Sequence, residues 1–331
     1  MQDTIYLETG STDPAYNLAF EEYVLTHRAK DNYLILWQNK NAVIIGRNQV
    51  AAQEINKDFV DRNGISVIRR ITGGGAVYHD MGNLNYSFIA DAPECGTTTK
   101  APFVQPIVDA LQELGLDASP SGRNDILVSG KKVSGIAQYI SKGRILHHGT
   151  LLFDSNPGMI SGALNPDPTK FQTKSVQSVR SRVGNIREFL KADMTLPEFW
   201  EHLRRHLGKN GMTAGALTED ELAAIRQLKA EKYDTWDWNY GRSPAYSTVY
   251  RHRWPSGLLE AYLSVKDGKI VSIAFRGDFL SVYAPDILET ALSGCAYQEA
   301  SISHALQSLP VERCLGGITL EECVQTILNK V

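Results

Sequence analysis

VIRRITGGGAVYHDMGNLNYSFI, residues 67–89, is the stretch from which the rest of the chain is read. Val67 to Arg70 predicts a strand running in. Thr72-Gly73-Gly74-Gly75 predicts a turn, and Ala76 to Tyr78 and Asn85 to Ile89 predict strands leaving it. Three successive glycines permit positive φ and carry no Cβ, so backbone N–H groups can lie close to a ligand. Arg69 and Arg70 precede the glycines and His79-Asp80 follows them. That arrangement suits an anion such as a phosphate or a carboxylate. It is neither of the two common phosphate motifs, because no Lys-Ser/Thr follows and no GxGxxG opens a helix. For the glycines alone, a hairpin without a ligand is the simpler account.

N-terminal to this stretch, Ile5 to Leu7 predicts a short strand. Asp13-Pro14 starts a helix, a capping carboxylate followed by a first-turn proline, and Tyr16, Phe20, Tyr23 and Val24 carry it to about His27. Tyr33 to Trp37 and Ala42 to Ile45 are apolar runs separated by four polar residues, which predicts a hairpin. It ends in Gly46-Arg47-Asn48-Gln49, which on its own reads as a solvated turn.

Residues 91–101 read as a mobile loop, and Phe103 to Leu114 as an amphipathic helix closed by Gly115. The second chemical stretch is GRNDILVSGKKVSGIAQYISKGRILHHGTLLFD, residues 122–154. Asp125 to Val128, Lys131 to Ile140 and Arg144 to Phe153 predict strands joined by tight turns. Side chains alternate along a strand, so Lys131 and Lys132 are expected on opposite faces. Ser134, Gly135 and Ala137 are small and predict a groove beside Lys132, able to hold a long apolar chain ending in an acid. The alternative is a pair of surface lysines guarding an edge strand. One of His147 and His148 is expected to face that groove, and a satisfied histidine in a sheet is the simpler reading of each.

Further on, residues 175–183 carry Arg180 and Arg182. Helices are predicted from Thr195 to Leu207 and from Thr218 to about Lys232. The aromatic run from Tyr233 to Tyr240 reads as a packed segment leading to a domain boundary near 245. Ser247 to Trp254, Leu258 to Val265 and Ile270 to Ala274 predict a small sheet, followed by helices near 284–293, 300–307 and 318–329. The expected domains are 1–245 and 246–331.

Composition bounds the function. At 331 residues, 43% hydrophobic and 21% charged, the chain is an ordinary globular one, and its net charge of −3 argues against coating nucleic acid. Neither a signal peptide nor a membrane span is expected. Cys95, Cys295, Cys314 and Cys323 have neither disulfide-framework nor metal spacing, which points to a reducing cytoplasm.

Taken in order, GRNQ at 46–49, RRITGGGAVYHDMGNLNYSF at 69–88 and GRNDILV at 122–128 resemble the lipoate–protein ligase family. KKVSG at 131–135, HHGTLL at 147–152, SVRSRV at 178–183 and the run from Lys232 to Pro244 extend the resemblance over nearly the whole chain. It implies an α+β fold: a mixed-sheet catalytic domain of the biotin/lipoate ligase type followed by a small α+β accessory domain. It also implies a two-step reaction, in which lipoate and ATP give lipoyl-AMP and a carrier lysine then takes the lipoyl group.

By the same resemblance Lys132, the lysine directly before Val133-Ser134-Gly135, is the catalytic residue. Arg70, Gly75, Ala76, Val77, Tyr78, Asn124, Asp125 and Lys132 would bind ATP. Arg47, Gly73, Gly74, Gly75, His79, Lys132, Ser134, Gly135, Ala137 and His148 would bind lipoate. Mg²⁺ is expected with the nucleotide, with no metal ligands assigned. The expected partners are apo lipoyl domains of 2-oxoacid dehydrogenase E2 subunits and the glycine-cleavage H protein, and a monomer is the default. The rivals are an ATP-independent octanoyl or lipoyl transferase on the same fold and a non-transferring paralogue that binds lipoate or a carrier. A biotin ligase is disfavoured by the RRxxGGG and KVSG contexts.

Overall fold

The computed structural model describes residues 4–93, 100–122, 124–165, 183–241 and 247–330. The readings placed on Cys95, Arg123, Arg180, Arg182 and residues 242–244 lie outside the described residues. The chain divides into two compact units. One comprises Met1–Ile44, Asn56–Ile68 and Val77–Thr235, the other Ile45–Ile55, Arg69–Ala76 and Trp236–Val331.

The first unit is built on an eight-stranded mixed sheet. Its strands are β1 (Thr4–Glu8), β2 (Asn32–Trp37), β6 (Asn83–Asp91), β7 (Ala118–Ser121), β8 (Asp125–Val128), β9 (Lys131–Ser141), β10 (Arg144–Leu152) and β11 (Met212–Ala214), in the order β11-β1-β2-β6-β10-β9-β8-β7. β1 runs parallel to β2 and β11, and the other neighbours are antiparallel. A smaller sheet of β3 (Ala42–Ile45), β4 (Ser66–Arg69) and β5 (Val77–His79) has β3 at its centre.

Alternation along β6 explains the layering. Leu84, Tyr86 and Phe88 join a core with Val104, Ile107 and Leu111 of the helix Ala101–Glu113 and with Phe199 and Leu203 of the helix Leu196–Leu207. Asn83, Asn85 and Ser87 point to the opposite face, where the helix Pro14–His27 packs against β6 and β10. That helix starts as expected, with Asp13 accepting from the Ala15 N–H at 2.9 Å. The turns Ser129-Gly130 and Lys142-Gly143 have φ of +49°, +80° and +49°, +75°, the two-residue geometry whose twist suits a hairpin.

The hairpin expected from 33–37 and 42–45 does not form. β2 pairs with β1 and β6, whereas β3 pairs with β5. The connection is a buried anchor: Asn39 is fully buried, accepting from the Asn17 amide at 2.9 Å and meeting His79 Nδ1 at 3.1 Å. Both strands are buried along nearly their whole length, and each satisfies its backbone with neighbours on two sides.

The second unit contains an antiparallel sheet of β12 (Thr248–Trp254), β13 (Gly257–Lys266) and β14 (Lys269–Gly277). The helices Asp286–Leu292, Glu299–Leu306 and Leu320–Leu328 fall where expected, and the short helix Val311–Cys314 was not foreseen. Leu259, Phe275, Leu288, Ile302 and Ile327 form their shared core. The aromatic run is less packed than its composition suggests, since Trp236 is 68% exposed and Tyr240 stacks on it. No described helix is long and apolar enough to cross a membrane.

Candidate functional site

The helix-packed face of the large sheet that carries Asn85 and Ser87 is polar and lined with small residues. Register places Ile35, Ser87, His148 and Ala137 in one row across β2, β6, β10 and β9. The next row holds Trp37, Asn85 and Thr150, and Gly135 continues it by giving its N–H to Thr150 Oγ1 at 3.1 Å. Beneath them lies Glu21, 1% exposed. Trp37 Nε1 donates to Ser87 Oγ at 2.8 Å, Ser87 donates to Glu21 Oε1 at 2.6 Å, and His148 Nδ1 meets the same oxygen at 2.8 Å. An indole only donates and a carboxylate only accepts, so the chain of bonds has one direction and His148 Nδ1 is a donor in it.

Lys132 reaches this face through a β-bulge. Leu127 pairs with Lys132 and Ile126 with Ser134, so Val133 is the extra residue on β9. A bulge interrupts alternation and re-aims a side chain. Lys132 therefore shares a face with Gly135: its Nζ lies 3.5 Å from the position a Cβ at 135 would take. Asp125 Oδ1 pairs with Lys132 Nζ at 2.7 Å, both side chains about one-third exposed. Ser134 is a correction. Beyond the bulge it points to the opposite face, fully buried beside Tyr86, and does not line the groove expected there. Lys131 and Lys132 precede the bulge and pair with Val128 and Leu127 in turn, so those two alternate as expected.

In the second unit the Gly-rich segment is folded around Arg70. The guanidinium donates to Thr72 Oγ1 at 2.9 Å, to Gly73 O at 2.7 Å and to Gly75 O at 2.9 Å. With those carbonyls drawn inward, the N–H groups of Gly73, Gly75 and Ala76 find no acceptor among the described residues. Gly74, at φ +93°, is the residue that makes the turn. The glycine at 46 is also required, because a Cβ there would stand 1.9 Å from Gly74 O. The expected solvated turn at 46–49 is instead buried: Asn48 and Gln49 are 3% and 1% exposed, and Arg47 pairs with Asp286 at 3.4 Å. Arg69 is fully buried and donates to five backbone carbonyls.

Of the expected site residues, Lys132, Gly135, Ala137 and His148 share one face of the large sheet, with Asp125 on Lys132. His79 stands edge-on to the Trp37 ring at 6.4 Å. Asn124 gives its carbonyl to the Ile136 N–H at 2.8 Å. Val77 is half-buried on β5, next to Tyr78. The Tyr78 side chain turns inward, its hydroxyl donating to Asn41 at 2.9 Å and pushed up to about 12 by burial. Glu21, Trp37, Asn85, Ser87 and Thr150 were not anticipated. The polar Asn85 and Ser87 at alternate positions of NLNYSF carried a readable signal of a two-faced strand.

His147 is the histidine that faces the core. It bonds Gln138 at 2.9 Å, stacks on Phe103 at 5.0 Å, and burial pushes it down to about 3. A folded value below the ordinary 6.5 means that the unfolded chain binds the extra proton first. The contribution is neutral above about pH 6.5, and stability falls as the pH drops from there towards about 3. His147→Phe is expected to flatten the stability curve between about pH 6.5 and 5, measured by urea unfolding. An unchanged slope would contradict the assignment.

Residues 13–208 match the family described as Lipoyl protein ligase A/B catalytic domain, more than half of the chain. The chain belongs to the lipoate–protein ligase family. Residues 243–327 of the ligase match a second family, Bacterial lipoate protein ligase C-terminus. It is 42% identical over 320 residues to lipoate-protein ligase LplJ of Bacillus subtilis (strain 168), covering 95% of this chain and 97% of that one. Among solved structures it is similar to P. falciparum LipL1 in complex with lipoate, at 25% identity and TM-score 0.82, covering 98% of this chain and 99% of that one. It is similar to lipoate-protein ligase A bound with ATP, at 32% identity and TM-score 0.63, over 72% and 98%. A bipartite lipoate protein ligase, solved with its E2 lipoyl domain from Thermoplasma acidophilum, has TM-score 0.64 and 32% identity over 75% and 99%. The ligase thus has the mixed-sheet fold and the enzyme class that its motifs implied.

Proposed function

We propose that this ligase activates lipoate on ATP and passes the lipoyl group to a lysine of an apo lipoyl domain, with Lys132 as its catalytic residue. The observation that carries the reading is the bulge at Val133, which sets an ammonium over a bare glycine floor on a polar sheet face. The lipoate carboxylate attacks the α-phosphorus and pyrophosphate leaves; the carrier amine then attacks the acyl carbon and AMP leaves. In the first step two anions approach, and fixed positive charge offsets their repulsion. Lys132 supplies that charge and keeps it for the acyl oxygen in the second step.

Gly135, Ala137 and His148 line the acyl chain, with His79, Arg47 and the Gly73–Gly75 backbone serving the same substrate. The unclaimed N–H groups at Gly75 and Ala76 suit phosphate oxygens, and Arg70 acts through the loop it shapes. Val77 and Tyr78 would then meet the nucleotide through their backbone. Asn124 and Asp125 stand at the nucleotide end, beside Lys132. Magnesium would enter with ATP: among the described residues no cluster of three His, Cys, Asp or Glu could hold a resident ion, and Asp125, paired with Lys132, is a carboxylate at that end of the site. The carriers are E2 lipoyl domains and the H protein, the work is done by residues 1–245 with 246–331 accessory, and the enzyme acts as a cytoplasmic monomer.

The test is mass spectrometry of an apo lipoyl domain incubated with the ligase, lipoate, ATP and Mg²⁺, each omitted in turn. The lipoyl mass increment is expected only in the complete mixture. Modification without ATP would favour the transferase reading, and adenylate without modification the non-transferring one.

A further inference from the structure

The β9–β10 ladder is regular from Arg144 opposite Ser141 to Gly149 opposite Ile136, and stops there. One residue on, the Gly135 N–H is taken by a side chain, Thr150 Oγ1, at 3.1 Å. Thr150 itself keeps its place opposite Asn85 on β6. On its other edge, towards β8, Val133 is an inserted residue of β9, and the Ile136 N–H goes to Asn124 O, one step beyond Asp125 opposite Gly135. Glycine leaves the side-chain position at 135 empty. Two polar groups border the gap: Lys132 Nζ is 3.5 Å and Thr150 Oγ1 4.0 Å from where a Cβ would stand.

A hydroxyl has one hydrogen to give and two lone pairs. Gly135 occupies a lone pair, and among the described residues no acceptor takes the Thr150 hydrogen. The Gly135 N–H holds the oxygen in place and leaves the hydroxyl with its proton to donate. A gap bordered by an ammonium and such a donor fits a single oxygen carrying negative charge.

We propose that Thr150 is a second catalytic donor of this ligase. It gives a hydrogen bond to the acyl oxygen that Lys132 also holds, in the space a side chain at 135 would fill. The proposal rests on the lipoate-activating reading above. In the first step that oxygen is the carboxylate oxygen that does not attack; its twin forms the bond to phosphorus as the bond to pyrophosphate breaks. In the second step it is the carbonyl oxygen. It takes up an electron pair as the carrier amine adds, and returns the pair as the C–O bond to AMP breaks. The proton lost by the amine goes to water, and Thr150 keeps its own.

Three variants test this. Thr150→Val removes the hydroxyl at nearly constant volume and Thr150→Ser keeps it. Gly135→Ala fills the gap with a methyl whose nearest neighbours are 3.5 to 4.0 Å away, ordinary contact distances, so it folds. Each is assayed for lipoate-dependent ATP–pyrophosphate exchange and for transfer from supplied lipoyl-adenylate to an apo lipoyl domain, with thermal unfolding recorded. Thr150→Val is expected to lower kcat of both steps about 100-fold with KM for ATP little changed. Thr150→Ser should recover most of that loss, and Gly135→Ala should lose at least as much as Thr150→Val. Wild-type turnover in Thr150→Val or Gly135→Ala would overturn the proposal, as would equal losses in Thr150→Val and Thr150→Ser. If the unaltered ligase shows no lipoate-dependent exchange, the lipoate-activating reading falls and this proposal falls with it.

Discussion

Lys132→Met leaves the ligase folded and lowers lipoyl-adenylate formation by about 1000-fold or more. The two halves of that expectation have separate grounds. Lys132 Nζ pairs with Asp125, and both side chains are about one-third exposed, so water can replace the lost partner. An ion pair so placed contributes only about 0–1 kcal/mol to stability. For the chemistry, a single preorganised donor is worth roughly 3–4 kcal/mol in a site that excludes water. Lys132 serves two anions at once and should exceed that. Lys132→Arg keeps the charge but presents a planar fork in place of a point charge, and should recover little. The variant also separates the two steps. Given supplied lipoyl-adenylate, the carrier amine loses a neighbouring cation that favours its neutral form. The pH profile of transfer should therefore move to higher pH. ATP–pyrophosphate exchange at the wild-type rate would remove Lys132 from the mechanism, and an unmoved transfer profile would remove its effect on the amine.

Features set by neighbouring residues in sequence were legible. Asp13-Pro14 starts a helix by local capping, and Ser129-Gly130 and Lys142-Gly143 turn the chain through their own φ values. The family was legible because its motifs occur in order along the chain. The failures all involve register or long-range pairing. Whether β2 turns back on β3 depends on Asn39 finding Asn17 and His79, which no short window of sequence contains. The bulge at Val133 exists only relative to β8. Without it, alternation puts Ser134 in the groove and separates Lys132 from Gly135. Glu21 is hidden for another reason. A carboxylate on an apolar helix reads as its solvent face, yet here Ser87 and His148 satisfy it inside the protein.

Arg69→Met is expected to destabilise the second unit by about 3–5 kcal/mol, the usual cost of removing one side of a buried charged network. Arg70 is the arginine of the pair assigned to ATP, and the structure gives Arg69 a different task. Its guanidinium is fully buried. Nη1 donates to Gly46 O at 2.9 Å, Arg47 O at 3.1 Å and Gln49 O at 2.6 Å, and Nε and Nη2 donate to Trp238 O at 2.8 Å and Asn239 O at 3.0 Å. The backbone adds a second set of bonds, Arg69 N–H to Asn239 Oδ1 at 2.8 Å and Trp238 Nε1 to Arg69 O at 2.8 Å. Methionine fills much of the volume but leaves the buried carbonyls without these donors, and each bears a desolvation cost of about 1–3 kcal/mol if no water reaches it. Lysine should not rescue the variant, since a point charge with three donors cannot span acceptors set for a planar fork. The first segments to loosen should be 45–55 and 236–241, which these bonds tie together. Hydrogen exchange should show their protection falling before that of β13, with the thermal transition lowered by roughly 10–20 °C. Because the 46–49 turn supports the Gly-rich segment, KM for ATP should rise even where the variant remains folded. Unchanged exchange protection at 45–55 would show that the turn is held by something other than this guanidinium.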